Sequence, residues 1–172
     1  ANVTGESGHQ VGRTAISSLD RMTHRGGIAA DGKTGDGCGL LLQKPDSFLQ
    51  QVASENGFNL SKQYAVGMIF LSQNSEKALY AKRIIEQELT KATLTIAGWR
   101  EVPINSSVLG PIALESVPQI EQIFISAPAG WRERDVERRL YIARRRIEKQ
   151  IDTDKDEDFY VCSLSTQVIV YK

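Results

Sequence analysis

A cluster of glycines places the strongest constraint on how this chain folds. Six glycines fall within fourteen positions: Gly26, Gly27, Gly32, Gly35, Gly37 and Gly39. Each glycine inside a helix costs about 1 kcal/mol relative to alanine, so a helix cannot continue through this segment. The sequence therefore predicts a loop at residues 26–39.

Apolar periodicity predicts regular elements on both sides of this loop. Helical spacing of Val11, Ala15, Leu19 and Met22 predicts a helix with a buried stripe before it, and the apolar run 40–42 predicts a buried strand after it. Further strands are expected at residues 64–71, 94–102, 119–126, 159–164 and 168–171, with the last two as candidates for an antiparallel pair. This alternation is typical of an α/β or α+β domain of at least two layers.

Three helices are expected between these strands. Asp46 is expected to cap a short one with Phe48, Leu49 and Val52 facing inward, and Gly57 to end it. Asn74 is expected to cap a longer one that turns Leu79, Ile84, Ile85 and Leu89 inward. A third, at residues 131–150, is predicted by the apolar spacing of Val136, Leu140, Ala143 and Ile147.

Composition narrows the class of protein. A chain of 172 residues is long enough for one domain to bury a core without disulfides or metal. Its 21 basic and 21 acidic residues cancel, so charge favours neither nucleic acid nor membrane as a partner. Cys38 and Cys162 stand alone, which favours a reducing, cytoplasmic location and no metal site. No apolar run approaches the roughly 20 residues of a membrane span, and no export leader is expected.

The glycine loop also carries charged groups. Arg25 and Asp36 supply a cation and a carboxylate, and glycines allow close approach to a ligand. Two interpretations stay open, a small polar site or an Arg–Asp pair that only holds the loop. A phosphate-binding loop is disfavoured because the segment lacks a Gly-Lys-Ser/Thr ending and runs into a strand.

Several ordered motifs resemble one enzyme family. The residues 24–26 (His-Arg-Gly) and 34–40 (Thr-Gly-Asp-Gly-Cys-Gly-Leu) resemble the opening of the class II, N-terminal-nucleophile glutamine amidotransferases. The intact loop 30–37 is most similar to glutamate synthase large subunits. Similar segments also occur at 43–45, 64–68, 127–132, 143–148 and 159–165. The resemblance covers nearly the whole chain.

The resemblance implies a fold and a chemistry. It implies an α+β chain, part of the four-layer αββα N-terminal-nucleophile fold, with residues 1–172 as a single domain and an internal fragment of the amidotransferase domain. An N-terminal cysteine of that family attacks the glutamine side-chain amide, and hydrolysis of the thioester yields glutamate and ammonia. Ammonia then reacts with 2-oxoglutarate elsewhere in the enzyme. Arg25, Gly26, Asp36 and Gly37 are expected near the site as scaffold for the nucleophile.

The same resemblance implies cofactors and partners outside this chain. FMN and an iron–sulfur cluster would belong to the remainder of the large subunit, and no cofactor or metal is expected here. The expected partners are the rest of that subunit, glutamine as the substrate, and a small electron-donating subunit as a candidate. Unpaired sheet edges would allow self-association.

One departure from the family pattern affects the activity. Residue 1 is Ala1, and the Cys-Gly-Phe-Gly opening is absent. The family's substrate-binding arginine and its oxyanion Asn-Gly are expected beyond Lys172. The chain is therefore expected to contain no catalytic residue and to be inactive alone. Cys38 occupies a position that is commonly alanine in the family, which favours packing over catalysis.

Two alternatives remain. The first is a non-catalytic interaction domain that retains the amidotransferase fold. The second is nucleic-acid binding by the arginine-rich helix. Acids three or four residues from its cations, and the acidic run at 152–158, favour a solvated or domain-contacting face instead. The cations of this helix are Arg132, Arg134, Arg138, Arg139, Arg144, Arg145, Arg146 and Lys149.

Overall fold

The computed structural model describes residues 8–22, 27–35, 37–153 and 156–171. Its helices are α1 (His9–Asp20), α2 (Asp46–Glu55), α3 (Ser75–Lys91), α4 (Pro111–Glu115) and α5 (Glu133–Thr153). Its strands are β1 (Leu40–Gln43), β2 (Tyr64–Leu71), β3 (Thr95–Glu101), β4 (Gln119–Ser126), β5 (Tyr160–Ser165) and β6 (Val168–Tyr171). Helices together with antiparallel strands confirm the α+β class.

The chain divides into two compact units. The first contains residues 1–40 and 105–116, and the second contains residues 41–104 and 117–171. The second unit is built on a sheet of strand order β3-β4-β2-β5, in which each neighbouring pair is antiparallel. A register shift between Ile96 and Gly98 bends β3, and the ring of Phe58 occupies the space beside Gly98 where a side chain would stand.

Two long helices cover one face of this sheet. The side chains of Val136, Leu140, Ala143 and Ile147 on α5 are buried, as the periodicity predicts. On α3, Ile84, Ile85 and Leu89 point inward as expected, and Asn74 accepts hydrogen bonds from the N–H groups of Glu76 and Lys77. The expectation for Leu79 is wrong, since 56% of its surface is exposed. The buried face of α3 is formed at helical spacing by Ala78, Ala81, Ile85 and Leu89, and Leu79 lies beside this face.

The opposite face carries a second core. Leu49, Val52 and Ala53 of α2 pack there with Val66, Met68 and Phe124 of the large sheet. Ile169 of β6 and the partly buried Leu42 of β1 join this cluster, and β1 and β6 form a separate two-stranded sheet. A helical layer, a four-stranded sheet and a smaller sheet thus stack in the order that a partial αββα fold requires.

Three sequence expectations for this face are wrong. β1 is not a fully buried strand, because Leu41 is 65% exposed while Leu40 and Leu42 are half-buried. Phe48 of α2 is also exposed. β5 and β6 are not paired, because β5 lies beside β2 and β6 beside β1, and the turn at 166–167 carries the chain from one sheet to the other.

The first unit contains α1, α4 and the described parts of the glycine loop. The helix predicted before the loop is present, but none of the residues of α1 is buried, so the expected buried stripe is not found in this unit. The turn-rich stretch after β3 contains a 3-10 turn (Ser106–Val108) and α4. Within the described residues, no helix combines the length and apolarity needed to cross a membrane.

Candidate functional site

The predicted site residues fall mostly outside the described part of the chain. Arg25, Gly26 and Asp36 lie there, so their proximity stays a prediction. Gly37 is described and has φ of 78°, a left-handed conformation that glycine adopts without steric cost. This backbone geometry fits the residue type at that position.

The described segment of the glycine loop forms a tight hairpin. Ile28 and Gly35 make an antiparallel bridge, and the N–H of Ala29 donates to the carbonyl of Thr34 at 2.7 Å. Gly32 takes φ of 68° at the turn, and its N–H donates to the carbonyl of Ala29. Residues 28–35 of the predicted loop therefore form an ordered turn.

Asp31 organises this turn. Its carboxylate accepts hydrogen bonds from the hydroxyl of Thr34 at 2.5 Å, from the N–H of Thr34 at 2.8 Å and from the N–H of Lys33 at 3.0 Å. These bonds, led by the one from the Thr34 hydroxyl, hold the pKa of Asp31 well below its usual range. Asp31 therefore stays ionised throughout the neutral and mildly acidic range.

The same two side chains hold the start of α4. The N–H of Ile112 donates to Asp31 Oδ2 at 3.3 Å, and the N–H of Ala113 donates to Thr34 Oγ1 at 3.2 Å. Gly110 is the N-cap residue and has no side chain of its own to satisfy these groups. A Cβ atom at Gly110 would lie 2.4 Å from both Asp31 Oδ2 and Thr34 Oγ1. The glycine thus makes room for a cap supplied by the loop.

Sequence reasoning missed this contribution of Asp31 and Thr34. The Gly-Pro pair at 110–111 is the sequence feature that could have indicated it, because it begins a helix without a capping side chain. The partner of such a helix start lies about 80 residues away in sequence, so spacing gave no indication of it.

The two cysteines occupy different environments. Cys38 is exposed at the end of the loop, whereas Cys162 is buried in β5. The Cys162 thiol donates to the carbonyl of Val170 at 3.6 Å, which ties β5 to β6. Neither thiol forms a disulfide.

A polar cluster in the second unit joins β1, α2 and β2. The Lys44 side chain is only 8% exposed, and its ammonium pairs with Asp46 and lies 3.6 Å from the ring centre of Tyr64. The Tyr64 hydroxyl donates to Asp46 Oδ1 at 2.7 Å. Burial raises the pKa of Tyr64 above its usual range, and Asp46 raises it further. For Asp46 itself, burial raises the pKa, but the hydrogen bonds from Lys44 and Tyr64 outweigh it and leave the value lowered.

This cluster corrects one sequence expectation. Asp46 does not cap α2 with its side chain, because Pro45 is the N-cap residue and no side-chain cap is present. The carboxylate of Asp46 binds Lys44 and Tyr64 instead. All three groups are engaged with one another, which favours a structural role.

Several arginines in α5 or just before it form ion pairs or hydrogen bonds. Arg132 pairs with Asp135 at 2.9 Å, and Arg144 pairs with Glu148 at 2.7 Å while also donating to the carbonyl of Val161. Arg139 donates to the carbonyl of Ala92 and lies over the ring of Trp131. These contacts follow the spacing that favoured a solvated or domain-contacting face.

Comparison with known proteins gives one family. The family model described as glutamine amidotransferases class-II matches residues 1–172. The chain is 40% identical to ferredoxin-dependent glutamate synthase 2 of Synechocystis sp. and 40% identical to ferredoxin-dependent glutamate synthase 1 of Arabidopsis thaliana. It is 39% identical to the glutamate synthase [NADPH] large chain of Azospirillum brasilense. These matches cover 100% of the chain but only 11%, 11% and 12% of the respective relatives, so the chain spans about a tenth of their length.

Proposed function

Because this chain belongs to the class II glutamine amidotransferases, we propose that it is part of the glutaminase domain of a glutamate synthase. The observation that carries the proposal is uninterrupted similarity to glutamate synthases across the whole chain. The proposed reaction is hydrolysis of glutamine to glutamate and ammonia, with reductive transfer of the ammonia to 2-oxoglutarate elsewhere in the enzyme. Relatives named for ferredoxin and for NADPH match almost equally well, so the proposal does not extend to the electron donor.

The proposed chemistry needs groups that the matched motifs of this chain do not include. A cysteine thiolate adds to the side-chain amide carbon of glutamine, the carbon–nitrogen bond breaks, and ammonia leaves after gaining a proton. Water then hydrolyses the thioester to release glutamate. The rest of the polypeptide would supply this cysteine, the Asn-Gly oxyanion hole and the arginine that binds the substrate carboxylate.

The role proposed for residues 1–172 is to form a single domain that supports this site. Arg25, Gly26, Asp36 and Gly37 are proposed to hold the end of the chain that bears the nucleophile. Two observations support this role. The hairpin at 28–35 is tied to α4 through Asp31 and Thr34, and it lies between Arg25 and Asp36 in sequence. A catalytic group keeps its geometry only when the elements beside it are held in place, and these hydrogen bonds hold the hairpin to α4.

The proposed cofactors, FMN and an iron–sulfur cluster, would lie outside this chain. Clusters of this kind are held by four cysteine thiolates, or by cysteine with histidine, whereas the sequence contains only Cys38 and Cys162, one exposed and one buried. These residues do not fit a cluster. The proposed partners are the rest of the large subunit and a small electron-donating subunit, in the cytoplasm.

The test is glutamine-dependent ammonia release by the complete polypeptide and by residues 1–172 alone. We expect activity only in the complete polypeptide. Activity in residues 1–172 would show that the nucleophile is misplaced, and Cys38 would be the first residue to replace. A complete polypeptide without glutaminase activity would instead favour the non-catalytic interaction domain.

The scaffold role has a separate test in the active polypeptide. Replacement Asp36→Ala should lower glutaminase turnover by about 100-fold, the effect of a slightly misplaced reacting group. Asp20→Ala is the matched control, because Asp20 is exposed at the end of α1. Equal activity of the two variants, with unchanged thermal stability, would contradict the role of Asp36.

A further inference from the structure

An arginine lies on the face of the large sheet that is turned away from α3 and α5. In the register of the sheet, Arg100 of β3 stands opposite Gln122 of β4, which stands opposite Met68 of β2. Partners in an antiparallel register share a face, and Met68 belongs to the second core cluster with Phe124. Arg100 is therefore directed to the same side as that core, where a lone cation is unexpected.

Gln122 fixes the orientation of this arginine. Gln122 is 0% exposed, and its Oε1 accepts a hydrogen bond from Arg100 Nε at 2.7 Å. Within the described residues, Gln122 Nε2 has no hydrogen-bond partner. Reversing the amide would place its donor against Arg100 Nε, so the hydrogen bond to Arg100 determines the orientation. Buried amide groups normally use both their donor and their acceptor, so an amide that leaves its donor unbonded while it binds an arginine indicates that the arginine has a function in this position.

The terminal nitrogens of Arg100 are left to bind something else. Because Nε is engaged, the guanidinium presents Nη1 and Nη2 end-on, and the described part of the chain gives neither a hydrogen bond nor an ion pair. Arg100 is partly buried, unlike most arginines of α5. A partly buried cation without a counter-charge is costly, and two parallel N–H groups match the two oxygens of a carboxylate.

Partly covered apolar side chains form the neighbouring row of the same sheet face. Phe70, Val102 and Ile120 are only partly buried, although they pack against the second core cluster. Tyr160, whose ring centre is 5.9 Å from that of Phe70, is 44% exposed. This surface therefore combines partly exposed apolar side chains with a guanidinium whose orientation is held by Gln122.

We propose that Arg100 binds an aspartate or glutamate carboxylate of a segment of the same polypeptide outside residues 1–172, which packs on this apolar surface. Gln122 is the positioning residue for Arg100. Two observations favour a segment of the same polypeptide as the binding partner. The apolar side chains on this surface pack against the second core cluster, and this chain covers only about a tenth of the length of its relatives. The inference rests on the proposed function, because it needs a longer polypeptide of the glutamate synthase type.

The test is amide hydrogen exchange of the complete polypeptide, measured by mass spectrometry for Arg100→Met, Arg100→Lys and Gln122→Met. In Arg100→Met, one contiguous segment outside residues 1–172 that contains an Asp or Glu should exchange about 10 to 100 times faster, the effect of losing a hydrogen bond to a charged group. Arg100→Lys and Gln122→Met should affect the same segment less. Arg132→Met is the matched control, because the Arg132 side chain is 84% exposed, and it should leave that segment unchanged.

A second step identifies the carboxylate. Replacement of the acidic residue in the affected segment by its amide should reproduce the faster exchange, and combining it with Arg100→Met should add little further change. Changes confined to residues 1–172, or equal changes in Arg132→Met, would overturn the inference. Ammonia release by the unmodified polypeptide is measured in parallel. Glutaminase activity without the exchange effect refutes the carboxylate contact alone, whereas absence of activity refutes the proposed function.

Discussion

The centre of the large sheet offers a sharp test of the packing described above. Gly67 lies in the middle of β2, opposite Ile123 of β4 and Leu164 of β5. A Cβ atom at Gly67 would lie 2.7 Å from Ile123 Cγ2 and 2.9 Å from Leu164 Cδ1. Carbon atoms in favourable contact are about 3.5–4.0 Å apart, so both side chains would have to withdraw by about 1 Å. Ile123 is fully buried and Leu164 nearly so, which leaves little space for that movement.

The expected cost of Gly67→Ala follows from two opposing terms. Overpacking a well-packed core costs about 1–3 kcal/mol. Replacing glycine by alanine also restricts the unfolded chain, which stabilises the folded state by about 0.4–1 kcal/mol where φ is not positive, as at Gly67. The two ranges differ by about 0–2.6 kcal/mol, and because both neighbouring side chains are buried, the free energy of unfolding should fall by about 1–2 kcal/mol. With a urea dependence of about 2 kcal/mol per molar, the midpoint should fall by about 0.5–1 M.

Urea unfolding followed by tryptophan fluorescence measures this change. Trp99 and Trp131 are suitable reporters because both pack against the core cluster beneath Gly67. Gly12→Ala is the control, since its added methyl group would meet nothing within 4 Å, and it should leave the midpoint unchanged or raise it. In a Leu164→Ala background the penalty of Gly67→Ala should shrink. An unchanged or higher midpoint for Gly67→Ala would refute the reasoning.

Three further predictions concern the loop, the β5–β6 turn and the thiols. Hydrogen bonds lower the folded-state pKa of Asp31, so its stabilising effect should be complete above its unfolded pKa of about 4 and be lost as the pH falls toward the lower folded pKa. Amide exchange at α4 should show this loss, and Asp31→Asn should remove the pH dependence. Glu137→Ala should speed exchange of the Thr166 amide about tenfold or more, because that carboxylate accepts bonds from the N–H and hydroxyl of Thr166; unchanged exchange would contradict this role. An aromatic disulfide reagent should titrate one thiol in the folded chain, and Cys38→Ser should abolish the reaction because Cys162 is buried.

Periodicity predicted the main helices and strands of the second unit well because regularly spaced apolar residues make one face that has to be buried. The stripe of Val136, Leu140, Ala143 and Ile147 is helical by spacing and buried in the structure. The bounds of β2 and β4 agree with the expected strands at 64–71 and 119–126. An apolar run that is covered on both faces leaves little alternative to a central strand, and β2 is such a strand.

The errors arose where burial depends on partners that are distant in sequence. Leu41 and Leu42 are adjacent leucines, yet only one turns toward the second core because β1 is covered on one side. Asp46 has the residue type of a helix cap but binds Lys44 and Tyr64, because a buried ammonium nearby requires a counter-charge. The capping of α4 by Asp31 and Thr34 could not be read from the sequence for the same reason.

The candidate site was accessible mainly through resemblance. Residue chemistry alone favoured a polar site at Arg25 and Asp36 no more than a structural ion pair. Only the ordered motifs connected these residues to amidotransferase chemistry. The family match over residues 1–172 confirms that connection for the chain as a whole. It does not assign a role to either side chain, so the Asp36→Ala experiment remains the decisive measurement for the scaffold.

The two units differ in a way that bears on how this scaffold would work. The second unit has two buried clusters on opposite faces of one sheet, whereas α1 in the first unit buries none of its residues. Elements with few buried contacts open at low free energy, so the hairpin at 28–35 depends strongly on its hydrogen bonds to α4. A site built on such an element gains rigidity when further polypeptide packs onto it. The hairpin at 28–35 and the partly buried side chains on the Arg100 face are therefore the places where the proposed longer polypeptide would add stability.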